Sequence, residues 1–140
     1  MKPFPFYYQS YAGDCGPTCL KMIAEYYGKV FHPHQMKNFS KIYRRGTSLF
    51  TLTIAAGKIG LDSAGQKVNL DDLKAIELPL ILHWDLHHFV VLFEILNDFY
   101  YVADPAKGVL KLKESEFMGH WQSKDTSGIN DGVILLLLPK

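Results

Sequence analysis

The stretch GDCGPTCLKMIAEYYGK, residues 13 to 29, places Cys15 where an amphipathic helix is expected to begin. A thiol is a weak nucleophile until it ionises, and the first turn of a helix favours the thiolate through unpaired backbone N–H groups and the helix dipole. Gly13 and Gly16 flank the Asp14-Cys15 pair and remove side-chain bulk that would keep a substrate backbone from the sulfur. Read alone, the segment also suits a buried structural cysteine at a glycine-rich helix start. A nucleophilic cysteine needs a base to share its proton and a group to orient that base. Six histidines are available, and His83, His87 and His88 crowd into HWDLHHFVVL.

If HHFVVLFEIL is a strand, His87 and His88 point to opposite faces, and only one of them faces the site. The chain returns after Asn97-Asp98 as FYYVADP. With Leu96, Asn97 and Asp98 as a three-residue loop, Asp104 falls opposite Val90 and becomes the diagonal neighbour of His88. Such neighbours lie about 7–8 Å apart at the backbone, within carboxylate-to-imidazole reach. A Cys15, His88, Asp104 constellation is therefore geometrically open to this sequence. The three histidines of the strand segment lack ligand-like spacing to either cysteine, which argues against a metal site. Cys15 and Cys19, at i and i+4 on one helix, are poorly placed for a disulfide, and Cys19 reads as a small core residue.

The elements that must position these residues are legible in outline. A first helix is expected over Cys15 to Tyr27, with Leu20, Ile23, Ala24 and Tyr27 at helical spacing, Asp14 as its cap and Gly28 as its stop. A second is expected in PHQMKNFSKIYRR, closed by Gly46, and a third in SLFTLTIAAGKIG, capped by Thr47 or Ser48. Beyond residue 60, NLDDLKAI reads as at most a short capped helix. Then come the strands LPLILHW, HFVVLFEIL, FYYVADP, GVLKL and DGVILLLLP, separated by Asn-Asp, Lys-Gly and Asp-Gly turn signals. Helices first and a mostly antiparallel sheet afterwards give an α+β fold. With 140 residues, 48% hydrophobic, and no repeat or linker, residues 1 to 140 read as one domain.

A formal net charge of +1 gives no field of the kind that binds nucleic acid or an anionic membrane. The longest apolar run, VILLLLP, is far short of the roughly 18 residues of a membrane helix. The amino terminus has no apolar stretch of signal-peptide length, which favours a reducing cytosol.

YYQSYAGDCGPTCLKMIAEYYGK, HWDLHHFVVLFEI and YYVADPAKG, in that order and spacing, resemble the double-glycine leader peptidase domain of the bacteriocin-processing ABC exporters. The resemblance covers Tyr7 to Leu138. It implies a papain-like fold, with a helical amino-terminal half carrying the nucleophile and an antiparallel sheet carrying the histidine and the aspartate. By motif match it implies Cys15 as nucleophile, His88 as general base and acid, Asp104 as the residue orienting the imidazole, and Gln9, six residues before the cysteine, as a donor to the oxyanion. None of these four positions departs from the family pattern. The implied reaction is hydrolysis after Gly-Gly or Gly-Ala at the end of a leader on a ribosomally made precursor, with no cofactor. Its implied partners are that precursor, with a helical leader, and the transporter and ATPase portions of an exporter on the cytoplasmic side of a bacterial inner membrane. A narrow slot at the cleavage point would select glycine by clash. The helical leader would require an apolar groove, for which Phe39, Tyr43, Leu49 and Phe50 are candidates. The family pattern suggests an amino-terminal domain cut from an exporter rather than a stand-alone peptidase. The rival readings are a non-catalytic leader-docking module of an exporter and an acyl-transferring cysteine enzyme with the same triad.

Overall fold

The computed structural model describes residues 3–29, 48–121 and 131–140. The helix proposed in PHQMKNFSKIYRR, with Phe39 and Tyr43, lies outside the described residues. Among those described, a 3-10 turn (Ala12–Asp14) leads into α1 (Cys15–Tyr26), followed by α2 (Leu49–Lys58), β1 (Leu61–Asn69), α3 (Leu70–Ala75), β2 (Leu80–Trp84), β3 (His88–Leu96), β4 (Phe99–Asp104), β5 (Gly108–Lys113), α4 (Glu114–Trp121) and β6 (Asp131–Pro139). The six strands form one sheet in the order β1-β6-β2-β3-β4-β5, with every neighbouring pair antiparallel. This is the expected α+β architecture.

The helix boundaries follow local chemistry. Gly28 stops α1 in the left-handed region at φ 76°, where a side chain would be strained. Pro17 costs α1 no bond, since the first-turn N–H groups have no helical acceptor. Ser48 caps α2 in a reciprocal capping box with Thr51, and Asn69 caps α3 by accepting from the Asp72 N–H at 2.8 Å. The cap expected of Asp14 is not made. Its carboxylate instead accepts from Ser10 N–H at 3.1 Å and Thr18 Oγ1 at 3.2 Å, which ties the approach loop to the first turn of α1.

Helices cover both faces of the sheet. On one face, Leu20, Met22 and Ile23 of α1 and Leu52, Ala55 and Ala56 of α2 pack on Ile81, Phe89, Val91, Ala103, Leu135 and Leu137. On the other, Leu73 of α3 and Phe117 and Trp121 of α4 pack on Leu80, Leu82, Trp84, Val90, Leu92, Tyr100, Val102 and Ile134. A strand buried on both sides needs apolar residues at every position, which is why β2 and β3 read as continuous apolar runs. Two elements were not expected from sequence. The edge strand β1 buries only Leu61, so its apolar signal is nearly absent. The helix α4 buries only Phe117 and Trp121 among polar neighbours. The Asp-Gly signal before VILLLLP is not a turn either, because Asp131 and Gly132 lie inside β6, paired with Asn69 and Val68.

The β3–β4 hairpin also departs from expectation. Its loop has two residues, Asn97 and Asp98, both left-handed (φ 53° and 66°), with Leu96 facing Phe99. Carried along unbroken, that register would put Asp104 opposite Val91 and on the face away from His88. A β-bulge between Leu92 and Glu94 corrects the count, with Phe93 as the extra residue. Beyond it Val91 pairs with Ala103, and continuing the register sets Asp104 opposite Val90. The neighbour expected from sequence is therefore right, although the three-residue loop that led to it is replaced by a shorter turn and a bulge.

Gly132 is required by packing. A Cβ there would lie 2.4 Å from Cε2 of Trp121, whose indole is buried and donates to the Val133 carbonyl at 3.3 Å. Overpacking a rigid buried ring costs about 1–3 kcal/mol. Gly132→Ala is therefore expected to lower the melting temperature by about 4 °C or more, measured by circular dichroism; an unchanged melting temperature would show that Trp121 is free to move aside.

Candidate active site

The site forms where α1 begins and β3 and β4 reach the same end of the sheet. Cys15 is the first residue of α1 and is buried, at 5% exposure. His88 is the first residue of β3; His87, which sequence alternation placed within the strand, instead lies in the loop before it. Asp104 is the last residue of β4 and is 1% exposed. His88 Nε2 and Asp104 Oδ1 are 2.7 Å apart. With Nε2–H donating to the carboxylate, Nδ1 is the ring nitrogen left for the sulfur.

By strand alternation His88 and Asp104 belong to the sheet face covered by α3 and α4, whereas Cys15 packs with the cluster under α1 and α2. They meet because β4 ends at Asp104. The next position, opposite Phe89, is Pro105, which has no N–H to offer Phe89. The start of α1 serves that backbone instead. The Cys19 thiol donates to the Phe89 carbonyl at 3.4 Å, and the Phe89 N–H donates to Cys15. Both free cysteines thus engage one residue of β3, one helical turn apart.

The electrostatics divide the two thiols. Burial alone would raise the pKa of Cys15, but hydrogen bonds from His88 and from the Phe89 and Gly16 N–H groups, with the nearby imidazolium charge, bring it below the ordinary thiol value. Cys19, fully buried and close to Cys15 and Asp104, is pushed well above it. Burial works against the charged form of His88 as well, yet hydrogen bonds to Asp104 and Cys15 and the charges of both raise its pKa to about 9. For Asp104, burial is outweighed by hydrogen bonds from His88 and from the Ala106 N–H at 2.9 Å, so its pKa falls below the usual carboxylate value. The result is a thiol held toward ionisation beside an imidazole held in its charged form, both anchored on a buried carboxylate. Cys19 is an inert core thiol, as expected from sequence.

Gln9 is tied to the same corner. Its backbone N–H donates to the Pro105 carbonyl at 2.9 Å, immediately after Asp104, and its side-chain Nε2 donates to the Tyr11 carbonyl at 3.0 Å. The sequence motif pointed to Gln9, but nothing in it signalled this strap to β4. His83 stands apart from the pair: it lies 5.5 Å from the Phe89 ring, and burial lowers its pKa. It lines a cavity of about 430 Å³ with Ser48, Leu49, Leu86, His87, Phe89 and Val133. Of the two described groove candidates, Leu49 is half-buried at this cavity and Phe50 is 71% exposed.

Known proteins align with this arrangement. The model of the Peptidase C39 family matches residues 3–125. The colicin V secretion/processing ATP-binding protein CvaB of Escherichia coli is 31% identical over 112 residues, covering 80% of this chain and 16% of that protein. The lactococcin-G-processing and transport ATP-binding protein LagD of Lactococcus lactis is 32% identical over 139 residues, 95% of this chain and 18% of that protein. The chain thus spans under a fifth of the length of these relatives. Among solved structures, a double glycine motif protease from an AMS/PCAT transporter, in complex with its leader peptide, superposes with a TM-score of 0.83 at 30% identity, covering 97% of this chain and 91% of that one. The peptidase domain of Streptococcus ComA superposes with a TM-score of 0.82 at 23% identity, covering 99% of this chain and all of that one. The fold is thus papain-like, and the chain belongs to the Peptidase C39 family, a family of cysteine peptidases.

Proposed function

We propose that this domain removes leader peptides from ribosomally made precursors by cleaving after a double-glycine motif, and that it does so as part of an ABC exporter on the cytoplasmic side of a bacterial membrane. The observation that carries the reading is the 2.7 Å contact of His88 with a buried Asp104 beside a thiol whose pKa is lowered. A docking module that only gripped the leader would have no need of an activated thiol. Processing and transport in the names of the relatives, and a leader peptide bound to a structural neighbour, support the substrate class and the exporter context.

In the proposed reaction the Cys15 thiolate attacks the carbonyl of the second glycine. The tetrahedral oxyanion is met by the Cys15 N–H at the start of α1 and by the Gln9 side-chain amide; such a donor is worth about 2.7–4 kcal/mol in the barrier. The His88 imidazolium gives its proton to the leaving amine. Neutral His88 then takes a proton from water as that water attacks the thioester, releasing the leader and restoring thiolate and imidazolium. Asp104 holds the ring so that Nδ1 faces the sulfur, and stabilises its charge. Hydrolysis, rather than acyl transfer, adds the mass of water to the fragments.

The test is a synthetic precursor bearing a Gly-Gly leader, followed by mass spectrometry. Cleavage after the second glycine is expected, and Cys15→Ala is expected to lower kcat by at least about 10⁴-fold while still binding the leader. Cys19→Ala should retain most of the activity. Cleavage elsewhere, or turnover surviving in Cys15→Ala, would overturn the reading.

The same ion pair fixes a pH profile. His88, raised to about 9, keeps its proton and its stabilising contacts fully below its unfolded value near 6.5, and loses them as the pH rises through about 9. Asp104 and Cys15, both lowered, keep their charges as the pH falls past their ordinary values and lose them only as it falls through their lower folded values. Acylation should therefore hold across neutral pH and decline on an alkaline limb near pH 9. Asp104→Asn removes the largest support of the imidazolium and should move that limb to lower pH; a limb that stays in place would mean that Asp104 does not set the charge of His88.

A further inference from the structure

The turn that delivers His88 is held from outside the triad. Asp85, Leu86 and His87 join β2 to β3, and Asp85 and Leu86 both adopt left-handed backbone (φ 50° and 71°). Leucine has no side-chain hydrogen bond to favour that region, so the loop conformation must be imposed by its surroundings. The His83 side chain holds the Leu86 backbone by a hydrogen bond, and three contacts from one residue of α4 hold Asp85 and Trp84. His120 Nδ1–H donates to Asp85 Oδ1 at 2.7 Å, the Asp85 N–H donates to the His120 carbonyl at 2.9 Å, and the His120 ring stacks on Trp84 at 4.9 Å with 11° between planes. Trp84 is the cross-strand partner of His88.

We propose that His120 is a positioning residue for the peptidase reaction: by latching Asp85 and backing Trp84, it fixes the β2–β3 loop and so the register at which His88 meets Asp104 and Cys15. His120 touches neither the thiol nor the imidazole. Its action runs through two residues, Asp85 at the start of the loop and Trp84 across from His88. The side chains of the latch pair are 39% and 45% exposed, and exposed pairs add little to stability. Loss of the latch should therefore loosen the loop without unfolding the domain.

The inference rests on the reading of Cys15 and His88 as a catalytic pair, and its test has an arm that needs no substrate. His120→Ala, Asp85→Ala and the double variant are compared with His120→Asn, whose amide nitrogen can stand where Nδ1 does. Each is read by kcat and KM on a Gly-Gly precursor, by the pH dependence of Cys15 alkylation with iodoacetamide, and by melting temperature. Each alanine variant should lose about tenfold in kcat with KM little changed, as a slightly misplaced general acid would. The double variant should be no worse than either single one, the midpoint of Cys15 alkylation should move to higher pH, and His120→Asn should recover most of both losses. Alkylation midpoints and kcat that match the wild type in His120→Ala, with only the melting temperature lowered, would overturn the proposal and leave His120 a structural residue. If wild type fails to cleave the precursor, the reading of function falls, while the alkylation midpoints still decide the latch.

Discussion

Strand alternation leaves no middle course: a residue of β4 faces either the side His88 faces or the opposite one, and a single inserted residue decides which. Phe93 is that residue. The two-residue turn at Asn97-Asp98 sets a register in which Asp104 would turn away, and the bulge at Phe93 reverses the count before the strand reaches its end. The apolar pattern records the same shift, since Val90 and Leu92 before the bulge and Ile95 after it all face the second cluster. Phe93 is itself fixed by a stacked contact with Phe4, ring centroids 4.7 Å apart. The amino-terminal segment thus clamps the bulge, and a few residues later, at Gln9, it straps the end of β4.

Once Asp104 faces His88, the remaining problem is to bring a thiol from the opposite face. Ending β4 at Asp104 and following it with proline leaves the Phe89 backbone to the first turn of α1. One thiol donates to the Phe89 carbonyl and stays protonated; the other receives the Phe89 N–H and the imidazole and is held toward ionisation. The two cysteines thus differ in reactivity although they are one helical turn apart and both buried. Full burial keeps Cys19 protonated, whereas at Cys15 burial is outweighed by the His88 hydrogen bond with help from the Phe89 and Gly16 N–H groups.

Much of this could be read from the sequence, and the failures have physical causes. The helix starting at Cys15, the capped helices at Ser48 and Asn69, and five strands carried strong local signals in cap residues, glycine stops and apolar runs. The strand β1 and the helix α4 did not, because an edge strand with one buried residue and a short helix with two leave little periodicity. The bulge was invisible for another reason: Phe93 is as apolar as its neighbours, so the run FVVLFEIL gives no sign that one residue is extra. Asp104 was nonetheless placed opposite Val90, because an assumed three-residue loop and a two-residue turn plus a bulge shift the register equally. The latch of His120 on Asp85 had no sequence signal, since 35 residues separate its partners and one of them lies in the unrecognised helix.

Everything in this account depends on His88 being positively charged at neutral pH because the Asp104 carboxylate and the Cys15 sulfur hold it so. The most direct measurement is the imidazole nitrogen resonance of His88, followed by NMR through a pH titration in wild type and in Cys15→Ala. The account predicts a midpoint near 9 in wild type and a lower one once the sulfur is gone, with Asp104 still in place. An ordinary histidine midpoint of about 6.5, the same in both proteins, would contradict it.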